Sequence, residues 1–158
     1  MKLNLGSSDR HVAGYISVDK HRPVMPDGIE FQSADLDLIW PWDDSSVDEV
    51  IAYDIFEHLS DRIWTMNELY RVLKPGATAI IEVPNASKGA GFFQDPTHVS
   101  PWCMNSFQYF QVGSFAHQRL AQSYGITARF SIRSIGETSW QDAYEMTWKI
   151  RAELMAVK

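Results

Sequence analysis

The tightest constraint on this chain lies at its start. Leu3-Asn4-Leu5-Gly6 is followed, after a short polar stretch, by Gly14-Tyr15-Ile16-Ser17-Val18-Asp19. Leu3 and Leu5 are apolar, and Gly6 arrives where a strand would end, which describes a short buried strand running into a tight turn. In doubly wound α/β sheets, nucleotides bind at the turn that follows the C-terminal end of a parallel strand. The second strand ends on Asp19, and an ionised carboxylate can accept a hydrogen bond on each oxygen from two neighbouring ribose hydroxyls. Together these features outline a site for an adenosine-containing cofactor.

The rest of the chain repeats the alternation. Residues 7–13 leave room for a turn or two of helix at most, and Pro23, Pro26, Asp27 and Gly28 mark a loop. Residues 29–35 alternate and end on Asp35, giving a third strand. Trp40 and Trp42 flank Pro41 in a loop, and residues 46–53 form a fourth strand. Ser60 or Asp61 caps a helix whose apolar face is Ile63, Met66, Tyr70 and Leu73, and Lys74-Pro75-Gly76 stops it. Residues 77–84 are almost continuously apolar, as a central parallel strand should be. Residues 85–101 make a long loop, a length that in a compact domain usually carries function. Helical segments follow at 105–110 and 114–124, the second closed by Gly125. Residues 129–135 alternate and residues 144–154 alternate strictly, with Tyr144, Met146, Trp148 and Ile150 on the core face. The expected architecture is one α/β domain over residues 1–158. It is a three-layer sandwich with a Rossmann-like, doubly wound, mostly parallel sheet and an antiparallel C-terminal strand.

Composition narrows the function. Lys plus Arg is 14 against 20 for Asp plus Glu, a formal charge of −6. That balance argues against a nucleic-acid partner, which needs Lys and Arg to displace counterions. Cys103 is the one cysteine, so no internal disulfide forms and a reducing cytoplasm is the expected compartment. No apolar run approaches the roughly 20 residues of a membrane span, and the N-terminus has no signal-peptide core.

With these residues in place, the chain resembles the class I, Rossmann-like S-adenosylmethionine-dependent methyltransferases, in particular a short subgroup whose first motif reads Leu-Asn-Leu-Gly. The resemblance is carried by Leu3-Asn4-Leu5-Gly6, the stretch ending at Asp19, Ala34-Asp35-Leu36, Phe56-Glu57-His58-Leu59, Glu68-Leu69-Tyr70-Arg71-Val72-Leu73-Lys74-Pro75-Gly76, Val83-Pro84-Asn85 and Asp95-Pro96-Thr97-His98. It implies S-adenosylmethionine as cofactor and S-adenosylhomocysteine as its product. Asn4, Gly6, Ser7 and Ser8 would lie at the cofactor's methionine part and Asp19 at its ribose. Asp35 with Leu36 would sit by the adenine, and Tyr53 with Asp54 would form the floor near the sulfonium. Ser7-Ser8 stands where the family usually has a second glycine. The family's leading helix does not precede the first strand here, so a homodimer is one way to close the site.

Methyl transfer to oxygen or nitrogen needs an acceptor in line with the methyl group and, in places, a general base. His98 is the base candidate, with Asp95 as its companion; the plainer role for the two is to staple their loop. Some relatives hold a divalent metal at an acid-x-x-Glu-His stretch matching Asp54, Glu57 and His58, but in many the Glu-His pair only starts the helix, so no metal is expected. Trp40, Trp42 and Trp102 either line a pocket or cover core edges, and Cys103 reads as a small core residue. The expected function is transfer of a methyl group to an oxygen or nitrogen of a small-molecule acceptor. The alternatives are a degenerate methyltransferase fold used for binding or assembly, and a nicotinamide oxidoreductase. Gly6-Ser7-Ser8-Asp9-Arg10-His11 breaks the dinucleotide fingerprint of the last.

Overall fold

A computed structural model describes residues 1–21, 26–141 and 146–158. Pro23 and Tyr144, named above, lie outside the described residues. The strands are Lys2–Leu5 (β1), Ile16–Asp19 (β2), Phe31–Ser33 (β3), Val47–Tyr53 (β4), Leu73–Pro84 (β5), Phe130–Gln141 (β6) and Met146–Ala156 (β7). The helices are Arg62–Val72 (α1) and Phe115–Leu120 (α2), with 3-10 turns at Phe56–His58 and Met104–Tyr109. One sheet runs β3-β2-β1-β4-β5-β7-β6. The first five strands pair in parallel, and β7 is antiparallel to both β5 and β6. This is the mostly parallel α/β sheet with an antiparallel C-terminal strand that the sequence pattern calls for.

Register explains the core. Leu3, Val50, Ala79 and Leu154 stand side by side across four strands, and Leu5, Ala52, Ile81 and Ala152 form the next row. All eight are buried. Burying a Leu, Val or Ile side chain is worth about 1.5–3 kcal/mol, which applies to Leu3, Leu5, Val50, Ile81 and Leu154 in these rows. Helix α1 packs with this core through Met66, Leu69 and Val72. Its N-cap is Asp61, whose carboxylate accepts from the Ile63 and Trp64 amides at 2.8 and 3.0 Å.

The sequence places Leu73 on the helix face. In the structure the helix ends at Val72, and Leu73 opens β5 beside Val47. The register then shifts before Glu49 meets Thr78, so the Lys74-Pro75-Gly76 stop sits beside an irregularity in the ladder rather than between two elements. The tryptophan loop is core. Trp40 and Trp42 are buried, their indoles donating to the Leu36 carbonyl and the Gln32 side chain. Arg71 fixes that loop: its guanidinium donates to the carbonyls of Trp40 and Trp42 and to Asp44, and it pairs with the buried Glu68. Glu68 in turn accepts from the Trp40 amide at 2.8 Å, and its pairing with Arg71 holds its carboxyl below the usual range.

The strand order turns at β1: chain connections run outward to β2 and β3, then return across β1 to β4. The crevice at the C-terminal ends of β1 and β4 is the place where such sheets bind ligands. The first crossover, expected to be short, contains turns and no helix.

Candidate functional site

The crevice begins with backbone. Gly6 takes φ +61°, and a Cβ on it would lie 2.5 Å from the Ile55 side chain, so only glycine lets the turn after β1 approach the turn after β4. Ser8, at φ +43°, donates its amide to one Asp19 oxygen at 3.1 Å, and His21 donates to the other at 3.2 Å. Asp19 thereby orders the turn it faces. Asp35 is paired with Lys20 at 2.7 Å and accepts from the Asp37 amide. The Lys20 ammonium holds its carboxyl below the usual range. Asp37 reaches across to the Ser60 amide and hydroxyl. Between these groups lies a cavity of about 170 Å³ lined by Gly6, Asp19, Asp35, Leu36, Ile55 and His58, among others. The structure thus brings Gly6, Asp19, Asp35 and Leu36 together. Asn4 is buried and turned to the Arg10 carbonyl at 2.6 Å, where it holds the loop. Ser7 is buried, and its hydroxyl has no partner among the described residues.

Asp54 stands at the inner end of this crevice in a left-handed backbone, φ +54°. One of its oxygens pairs with Arg10 at 3.0 Å and Lys149 at 2.6 Å; the other is buried without a partner among the described residues. Tyr53 points elsewhere: it is beside Glu82 in the ladder, under the Arg151 guanidinium, and does not line the cavity.

The long loop supplies the second half of the site. It is pinned by the Val99 and Ser100 amides, which both donate to the Glu57 carbonyl at 2.9 Å. His98 donates Nδ1–H to the Phe92 carbonyl at 2.8 Å, since a carbonyl can only accept. That fixes the tautomer and leaves the Nε2 lone pair free, 3.9 Å from Glu57 and 3.8 Å from Asp95. Asp95 instead accepts from the amide and hydroxyl of Thr97, which hold its carboxyl low. Its side chain staples the loop through Thr97, and its carbonyl accepts from the His98 amide at 3.2 Å. His58 joins the two halves: it lines the cavity, bonds the Thr97 hydroxyl at 3.1 Å, and packs edge-on to His98 with ring centres 4.7 Å apart. Glu57 is 1% exposed, and neither of its oxygens has a hydrogen-bond partner among the described residues. Burial pushes its carboxyl up to about 8.

Glu57, His58 and His98 each bring a ligand atom within 4.8 Å of the others. One carboxylate and two imidazoles suit a divalent transition metal, and an orphaned buried carboxylate is what such an ion would satisfy. This set differs from Asp54, Glu57 and His58, because Asp54 is held by Arg10 and Lys149.

Sequence reasoning missed Ile55, His58 as a cavity residue, Arg10 and Lys149. Lys149 is separated from Asp54 by 95 residues and carries no local signal. Arg10 had a local signal that went unread, a cation in the glycine-turn loop. Trp102 is buried and covers the core beside Phe56 and Phe107, and it also floors a separate aromatic cavity with Arg62 and Tyr109. The Cys103 thiol is half-buried against the Ser106 hydroxyl.

Residues 11–81 match the family model described as a methyltransferase domain. A protein of Mycolicibacterium smegmatis, described as a probable S-adenosylmethionine-dependent methyltransferase, is 40% identical over 45 residues; the match spans 28% of this chain and 18% of that relative. The crystal structure of YcgJ from Bacillus subtilis superposes with a TM-score of 0.69 at 13% identity, covering 99% of this chain and 92% of the other. A structure of an S-adenosylmethionine-dependent methyltransferase from Methanosarcina mazei gives 0.64 at 14% identity, with the same coverage of 99% and 92%. At these identities the structural likeness is one of fold. No helix among the described residues is long and apolar enough to cross a membrane.

Proposed function

We propose that this chain is an S-adenosylmethionine-dependent methyltransferase acting on an oxygen or nitrogen of a small-molecule acceptor. The observation that carries the reading is the convergence of Gly6, Asp19, Asp35 and Leu36 on one cavity at the sheet's switch point, with His58 linking that cavity to His98. The cofactor is S-adenosylmethionine. Asp19 accepts from its ribose hydroxyls, Asp35 and Leu36 hold the adenine end, and the glycine turn passes under the amino-acid end. When bound, the cofactor supplies an electrophilic methyl on a sulfonium. The protein's share is to align the acceptor and move its proton. His98 takes that proton at Nε2, the nitrogen left free by the bond from Nδ1 to Phe92.

The test is a calorimetric titration with S-adenosylmethionine and S-adenosylhomocysteine, repeated on Asp19→Ala. Micromolar binding that is lost in the variant supports the reading; a folded protein that binds neither ends it. The orphaned Glu57 carboxylate favours a second reading, in which His98 Nε2 is a ligand and not the base. Glu57, His58 and His98 would hold a divalent cation, which would act as a Lewis acid on the acceptor oxygen. Titration with Mn²⁺ or Zn²⁺ checks it, with Glu57→Gln expected to abolish binding.

A further inference from the structure

We propose that Arg10 recognises the carboxylate of the cofactor's amino-acid end, giving up its place on Asp54 to the cofactor's ammonium group. This rests on the S-adenosylmethionine reading and adds a residue to it. The cavity of about 170 Å³ runs from Asp35 to Gly6, Ile55 and His58, and neither Arg10 nor Asp54 lines it. Sites for ligands of drug size usually occupy about 300–1,000 Å³, so this space suits the adenosine part alone. Beyond Gly6 and Ile55 the two turns are joined by the ion pair between Arg10 and Asp54, at 3.0 Å. The amino-acid end of the cofactor has to be housed on that side.

The two cations on Asp54 are unequal. The Lys149 side chain is 15% exposed and is shared with Glu82 at 3.4 Å, so it is fixed in the sheet. The Arg10 side chain is 61% exposed, yet its backbone is anchored: its amide donates to the Ser7 carbonyl at 2.7 Å, and its carbonyl accepts from Asn4. A long side chain on a fixed base can swing without disturbing the turn. Asp54 also keeps one buried oxygen without a partner among the described residues, an acceptor in reserve for an ammonium group.

Binding is then an exchange of like charges. The ligand's ammonium replaces the guanidinium on Asp54, and the freed guanidinium takes the ligand's carboxylate in the two-pronged geometry arginine favours. No net charge is buried. A ligand with only one of the two groups cannot complete the exchange, so Arg10 selects for an intact α-amino-acid end.

The experiment compares S-adenosylhomocysteine with 5′-methylthioadenosine, an adenosine thioether lacking the amino-acid end, on wild type, Arg10→Ala and Arg10→Lys by calorimetry. Arg10→Ala should weaken S-adenosylhomocysteine by about 10–100-fold, the size of a charge-assisted hydrogen-bonded contact, and leave methylthioadenosine within about threefold. Arg10→Lys should recover part of the loss through its charge. Equal weakening of both ligands would mean that Arg10 only shapes the turn, and unchanged S-adenosylhomocysteine binding would mean that it does not touch the carboxylate; either overturns the proposal. Wild type failing to bind S-adenosylhomocysteine removes the cofactor reading itself, an outcome distinct from a wild type that binds and a variant that binds equally well.

Discussion

The two halves of the site settle their charges in opposite ways. Around the cavity the acids are already engaged: Asp19 by two amides, Asp35 by Lys20, Asp37 by Ser60. Across His58, Glu57 is buried with both oxygens unmatched, and His98 holds a free Nε2. The first arrangement is that of a preformed binding surface, whose groups lose little freedom when a ligand arrives. The second keeps strong, unsatisfied groups in a low-dielectric setting, where proton or cation chemistry is most sensitive to its surroundings. On the proposed function, recognition falls to the side whose acids Asp19, Asp35 and Asp37 are engaged and reaction to the side where Glu57 is unmatched, with His58 at the seam.

Substitutions on each side should separate the two. The largest effect is expected from His98→Ala, which should slow methyl transfer by about 100–10,000-fold while S-adenosylhomocysteine affinity stays within about threefold. Turnover assays paired with calorimetry check this, and a matching loss of affinity would break the division. Next is the pH dependence of stability. Glu57 binds its proton more tightly folded, near pH 8, than unfolded, near 4.5, so the folded chain carries the extra proton between those values. Stability should fall as pH rises through that window, by about 5 kcal/mol in all, and thermal melts in a chelator should show it. Glu57→Gln should flatten the curve. Gly6→Ala should cost about 2–4 kcal/mol, because the backbone is left-handed and the new methyl meets Ile55; denaturant titration reads this directly. The smallest effect belongs to Lys20→Ala. Its ion pair is solvent-exposed, so S-adenosylhomocysteine affinity should change by less than about threefold. A large loss there would show that the binding side is less self-sufficient than it looks.

The same contrast governs what the sequence could reveal. The turn at Gly6 and the strand end at Asp19 were legible because parallel strands with a switch point need a glycine turn and place an acid at a fixed offset, whereas the third strand ends at Ser33 and Asp35 reaches the cavity from the loop beyond it. The cap was legible to within one residue, Ser60 or Asp61, because the Asp61 carboxylate acts on amides two and three residues away. Leu73 was misread, since its spacing fits a helix face and only pairing with Val47, distant in sequence, makes it a strand. His98 was found by its motif, but its tautomer depends on Phe92 and its neighbour on the packing of His58. The burial of Glu57 had no local sign at all: nothing near it in sequence says that the long loop will fold back onto its carbonyl.

The left-handed backbone at Asp54 has a consequence for substitution. At φ +54° most side chains pay a steric penalty, whereas Asn and Asp tolerate the conformation and glycine is indifferent to it. The position therefore accepts a vocabulary of about three residues. Within it, Asn alone removes the charge while keeping the shape and the acceptor oxygen. An engineer who wished to retune the crevice for an uncharged ligand would find the turn dictating the vocabulary and electrostatics choosing the word.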